Sequence, residues 1–127
     1  MQKKKPMKKI LLIDNEENIQ IVYREEFEDD GYQVASALNG EEGLKKFSEE
    51  KPDIVILDIH MPGMGGVEVL RKMKTLDPAV PVVLSSAYQE FKSDLGTWAS
   101  DAYILKSGDI GDLKRTVREL LEETGAE

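Results

Sequence analysis

The sequence predicts a single α/β domain of the (βα)5 kind, with a five-stranded parallel sheet covered by helices on both faces. Three observations predict it. Short apolar runs alternate with segments of helical spacing along the chain. The runs are rich in Ile, Val and Leu, which suits strands buried on both faces better than half-exposed antiparallel ones. The length of 127 residues supports one compact core and is too short for two ordinary domains. Strand–helix alternation then implies right-handed crossovers and helices on both sheet faces.

The first apolar run covers residues 10–13, and behind it Ile19, Val22, Tyr23 and Phe27 fall on one helical face. The second run is 33–38. Asn39 follows as an N-cap for a short helix carried by Leu44 and Phe47. The third run, 54–57, precedes a helix with the stripe Val67, Leu70 and Met73; the fourth is 80–84. Residues 89–98 have the poorest pattern: Phe91, Leu95 and Trp98 fit a helix, but Gly96 interrupts it. The fifth run is 102–105. After it, from Asp109, come Ile110, Leu113, Val117, Leu120 and Leu121, the clearest stripe of all. Gly31, Gly40, Pro52, Pro62, Gly63 and Pro78 punctuate the rest.

Composition removes several function classes. Cysteine is absent, which excludes disulfides, thiolate catalysis and cysteine-ligated zinc. His60 is the only histidine, so no histidine cluster can hold a metal. No stretch approaches the roughly 18 apolar residues of a membrane span. The basic start is not followed by an apolar signal segment, so a cytoplasmic protein is expected. Lys3, Lys4, Lys5, Lys8 and Lys9 supply five of the 17 basic residues; the remaining 12 face 25 acidic residues, a formal charge of −13 from residue 10 onward. Such a surface repels phosphate backbones, so direct nucleic-acid binding is not expected. Residues 1–7 are expected to be a flexible basic tail before a domain over 8–127.

Polar residues gather at the strand ends. The first strand runs into Asp14 and Asn15, the third into Asp58, the fourth into Ser85 and Ser86, and the fifth into Lys106. In an open α/β sheet these ends share one edge, where ligands bind. A carboxylate there can act as nucleophile and form an aspartyl phosphate. The charge in flight is neutralised by Mg²⁺ and a cationic side chain. Asp14, Asn15 and Asp58 offer the oxygen ligands Mg²⁺ prefers, Lys106 a fixed positive charge, and Ser86 a hydroxyl donor.

Four segments, KILLIDNEE at 9–17, PDIVILDIHMPGMGG at 52–66, PVVLSSA at 81–87 and AYILK at 102–106, resemble the response-regulator receiver family of two-component signalling. Each motif alone is weak; four in order and spacing are specific. The resemblance implies a flavodoxin-like three-layer sandwich with strand order 2-1-3-4-5. It implies that Asp58 is the phosphoacceptor and that Asp14 and Asn15 stand at the acidic pair that holds Mg²⁺, with the backbone carbonyl of His60 as a further ligand. Ser86 matches the Ser/Thr switch residue, Tyr103 the aromatic rotamer switch, and Lys106 the lysine that contacts the phosphoryl group. A histidine kinase or phosphotransfer protein is implied as donor. No residues follow Glu127, so output is expected through contact with another protein.

The chain departs from the family pattern at three places. Asn15 stands where an Asp is usual, so Mg²⁺ is expected to bind weakly, with Glu16 helping to offset the lost charge. Ser107, not proline, follows Lys106. Residues 91–101 lack the usual small-residue pattern, and Trp98 is unusual there. Plainer readings stand beside these roles: Asp14 and Asn15 as helix caps, Ser86 as an ordinary strand-end hydroxyl, Tyr103 as a static half-buried tyrosine, and Trp98 as a packing residue. Two other functions compete, a degenerate receiver that binds partners unphosphorylated and a phosphatase with an Asp nucleophile. The phosphatase families commonly place a second Asp two residues on, where this chain has His60. If the switch operates, Ser86 moves toward the phosphoryl group, Tyr103 fills the space, and the face built by 89–98, the fifth strand and the last helix repacks.

Overall fold

The computed structural model describes residues 8–86, 100–106 and 109–123. The elements run β1 Lys9–Ile13, α1 Glu17–Asp29, β2 Gln33–Ala37, α2 Gly40–Glu50, β3 Ile54–Asp58, α3 Gly66–Leu76, β4 Val82–Ser86, β5 Ala102–Leu105 and α4 Ile110–Glu123. The strands form one sheet in the order β2-β1-β3-β4-β5, and every neighbouring pair is parallel. The basic tail expected over 1–7, the weak helix expected over 89–98 with Trp98, and the Ser107 loop lie outside the described residues.

Alternate residues of each central strand feed two cores. Leu11, Ile13, Val55, Leu57, Val82 and Leu84 point to one face, where Phe47 of α2 and Val69, Leu70 and Met73 of α3 cover them. Ile10, Leu12, Ile54, Ile56 and Val83 point to the other, under Tyr23 and Phe27 of α1 and Leu113, Val117 and Leu121 of α4. Both faces of β1 and β3 are therefore dry, which is why their sequences read as continuous apolar runs rather than alternations. The result is three layers, as expected.

The expected elements shift in detail for local reasons. The buried face of α1 is Gln20, Tyr23 and Phe27, while Val22 is half exposed. On α3, Val69 joins Leu70 and Met73 in the core and Val67 is only partly covered. β2 stops at Ala37: the Leu38 N–H donates to Glu42 Oε1 at 2.9 Å and Asn39 Oδ1 accepts from the Glu42 N–H at 2.8 Å. That reciprocal cap begins α2, and Asn39 is the N-cap its sequence predicts. β4 starts at Val82 because Pro81 has no N–H to give the sheet, although its carbonyl still accepts from Val55 N at 3.0 Å. Among the described residues no helix is long and apolar enough to cross a membrane.

Parallel pairing brings the C-terminal ends of all strands to one edge. Ile13 lies beside Leu57, Asp58 beside Ser85, and Ser86 beside Leu105. Residues 14, 58, 86 and 106, spread over most of the chain, thus meet where β1, β3, β4 and β5 end.

Candidate functional site

Asp58 is the last residue of β3, the central strand, and Asp14 directly follows β1 beside it. Each keeps only 2% of its surface. Lys106 directly follows β5 and reaches back across β4. Its Nζ lies 2.9 Å from Asp14 Oδ2, 3.2 Å from Asp58 Oδ2 and 2.8 Å from Glu16 Oε1. The lysine is anchored from behind by its own N–H, which donates to the Ser86 carbonyl at 2.8 Å. Ser86 itself is fully buried at the end of β4.

The backbone around Asp58 is tightly built. The His60 N–H donates to Asp58 Oδ1 at 3.1 Å, so the nearer carboxylate oxygen is held by the loop and the other by Lys106. The Ile59 N–H donates to the Ser85 carbonyl at 3.0 Å and the Gly66 N–H to the Ile59 carbonyl at 3.0 Å. Gly66 begins α3 with its Cα pressed on the site: a Cβ there would sit 2.4 Å from the Asp58 carbonyl oxygen and 2.6 Å from Ile59 Cα. Gly63, after Pro62, takes φ +77, a conformation that glycine adopts without strain and that turns the chain from β3 towards α3. The His60 side chain is exposed at the rim.

Electrostatics follow from the burial. Removal from water pushes the Asp58 carboxyl above its ordinary range, and the neighbouring Asp14 charge adds to the rise; Lys106 and the His60 N–H oppose it. Burial also works against the Lys106 ammonium, but hydrogen bonds to Glu16 and Asp14 outweigh it and its pKa rises. Lysine therefore stays charged, and two buried carboxylates share one cation. Such an arrangement favours a further cation. Mg²⁺ takes oxygen ligands, usually one or two carboxylates together with waters and phosphate oxygens, and Asp14 and Asp58 are a donor set of that kind.

The sequence-predicted residues meet unequally. Asp14, Asp58 and Lys106 are brought into direct contact, and Ser86 stands behind them on the same edge. Asn15 is exposed. The third carboxylate of the cluster comes from Glu16, which contacts Lys106. Asp14 and Asn15 are not the N-cap of α1: Glu16 holds that position without a side-chain capping bond, and Asp14 Oδ1 instead accepts the Glu16 N–H at 2.9 Å. Tyr103 is half buried and packs against the core beneath α2 and α3, beside Leu84.

Gln20 is a contributor that sequence reasoning missed. Its buried amide Nε2 lies 3.0 Å from the Asp14 carbonyl and 2.8 Å from the Ala37 carbonyl, tying the ends of β1 and β2. The signal was a polar residue three and seven positions before Tyr23 and Phe27, on the apolar face of α1.

Comparison with known proteins agrees with this geometry. A family profile described as the response regulator receiver domain matches residues 10–118. The chain is 35% identical over 118 residues to sporulation initiation phosphotransferase F of Bacillus subtilis, covering 89% of this chain and 93% of that protein. Other curated relatives are longer regulatory proteins, and the chain spans 50% of one and 25% of another. Among solved structures it is similar, at TM-score 0.87 and 43% identity, to the response regulator protein TrrA of Thermotoga maritima in complex with Mg²⁺-BeF, covering 90% of this chain and 99% of that one. TrrA in complex with histidine kinase ThkA matches at TM-score 0.85 and 43% identity, over 91% and 99% of the two chains.

Proposed function

The chain belongs to the response regulator receiver domain family and is a phosphorylation-activated signalling switch, and from that premise we propose that Asp58 is the residue that accepts the phosphoryl group. One observation carries the assignment: Asp58 ends the central strand as a buried carboxylate held by Lys106 on one oxygen and by the His60 N–H on the other. In the transfer, an Asp58 carboxylate oxygen attacks phosphorus, an oxygen–phosphorus bond forms, and the bond to the donor nitrogen breaks with its electron pair leaving on the donor. The Lys106 ammonium, kept charged by its carboxylate neighbours, stabilises the charge on the transferred group. The buried Ser86 hydroxyl supplies a donor to a phosphoryl oxygen, and Tyr103 follows it. Gln20 and Gly66 hold the two carboxylate-bearing strand ends in place.

Mg²⁺ would be held by Asp14, Asp58 and the His60 carbonyl, with the Asn15 amide oxygen as a further, uncharged donor, and would neutralise the oxygens in flight. Asn15 brings no negative charge, so this chain binds the ion more weakly than one with a second acid there. The donor is a histidine kinase or phosphotransfer protein, supported by the relative solved with its kinase, and the place of action is the cytoplasm. Output passes to another protein rather than to nucleic acid, in keeping with the acidic body of the chain.

The test is phosphoryl uptake from acetyl phosphate with Mg²⁺, read by intact mass. The wild type gains one phosphoryl group and Asp58→Asn gains none while keeping its fold. Equal uptake by that variant removes Asp58 as acceptor. No uptake by either protein favours a module that binds its partner unphosphorylated.

A further inference from the structure

Lys106 carries three N–H donors and meets three carboxylates, Asp14 at 2.9 Å, Glu16 at 2.8 Å and Asp58 at 3.2 Å. The three partners are not equivalent. Asp14 and Asp58 are buried and bound a second time, by the Glu16 N–H and the His60 N–H respectively. Glu16 has a side chain 58% exposed, and it reaches the ammonium from outside the crevice.

We propose that Glu16 is a positioning residue that competes with the phosphoryl group for Lys106 and gives the ammonium up when Asp58 is modified. The inference rests on the reading of Asp58 as phosphoacceptor. Modification replaces the Asp58 carboxylate by an acyl phosphate with a charge of about −1.5 to −2 and strong acceptor oxygens, so a larger anion joins Asp14 and Glu16 around one lysine. Like charges sharing one ammonium repel, so one acid must yield. Asp14 would have to yield inside a buried site. Glu16 instead regains full hydration by swinging into solvent, the smallest cost in the cluster. The exposed Glu16 contact thus sets how readily the lysine turns to an incoming anion. Its neighbour Asn15 is uncharged, and Glu16 is the exposed acid of the turn after β1 that reaches Lys106.

The test uses beryllofluoride, an analogue of the phosphoryl group, titrated calorimetrically at saturating Mg²⁺ into the wild type, Glu16→Gln, Glu16→Asp and Asp58→Asn. Mg²⁺ alone is titrated into the same proteins. Glu16 makes no capping bond, so Glu16→Gln leaves α1 intact. Glu16→Gln is expected to bind beryllofluoride about threefold more tightly than wild type, the range for a partly exposed ion pair, while Glu16→Asp, which keeps the charge, stays nearer the wild type. Unchanged or weaker beryllofluoride binding by Glu16→Gln overturns the proposal. A fall of about tenfold or more in its Mg²⁺ affinity, without that tightening, makes Glu16 part of the metal site instead. A wild type that binds no beryllofluoride overturns the phosphoacceptor reading itself, and this inference with it.

Discussion

Replacing Lys106 with Met is the perturbation whose size the structure sets most directly. The methionine keeps an apolar stem of similar length but leaves Asp14 and Asp58 buried with no cation. At 2.9 and 3.2 Å the ammonium attracts each carboxylate by roughly 5 kcal/mol at an effective dielectric of about 20. Much of that offsets the desolvation of the three groups. Removing one partner of a buried pair costs about 3–5 kcal/mol net, against a total stability of about 5–15 kcal/mol for a domain. The variant should therefore fold, but with a much lower urea midpoint at neutral pH. Two conditions should restore it. Acid should, because protonating one carboxylate ends the repulsion. Mg²⁺ should, because it replaces the missing cation; binding at about a hundred times its Kd returns roughly 2.7 kcal/mol. The assay is urea unfolding of wild type and Lys106→Met, with and without Mg²⁺, at neutral and mildly acidic pH. A loss below about 1 kcal/mol, or equal stabilisation of both proteins by Mg²⁺, would refute the claim that one lysine neutralises a buried carboxylate pair.

Three further outcomes are expected. Asp58→Asn should gain stability over wild type as pH rises: with its folded pKa raised by burial and by Asp14, Asp58 costs stability from its unfolded pKa upward, fully so above the folded value, and the two urea curves should converge in acid. Gly66→Ala should lose about 1–3 kcal/mol and label poorly with acetyl phosphate, because its Cβ would meet backbone at 2.4 Å; normal stability and labelling would show that the loop gives way freely. Asn15→Asp should tighten Mg²⁺ binding, measured calorimetrically, since it adds a carboxylate charge; unchanged affinity would place residue 15 outside the metal site.

Much of this was legible in the sequence because parallel sheets write themselves plainly. Strands buried on both faces must be apolar throughout, so β1, β3 and β4 stood out, and a polar residue ending each marked the functional edge. Asn39 was readable as a cap because its chemistry is local. What was hidden depends on distances between elements. Gln20 reads as a break in an apolar stripe until its amide is seen to tie Asp14 to Ala37. The rotation of α1 that exposes Val22 is set by packing on β1 and β2, not by spacing within the helix. Glu16 was read as helping to offset the charge missing at Asn15; that it also reaches Lys106, 90 residues further along the chain, was not visible in the sequence. Gly66 was readable as part of a motif, but only the close approach of α3 to Asp58 explains why a glycine is needed.

The most direct measurement is chemical location of the phosphoryl group. The protein is treated with acetyl phosphate and Mg²⁺, reduced with borohydride, digested and sequenced by mass spectrometry. Borohydride converts an acyl phosphate to an alcohol, so a phosphorylated Asp becomes homoserine. Homoserine is expected at position 58 alone. Homoserine at position 14, or no conversion in a protein that has gained phosphoryl mass, would contradict the assignment of Asp58 as acceptor.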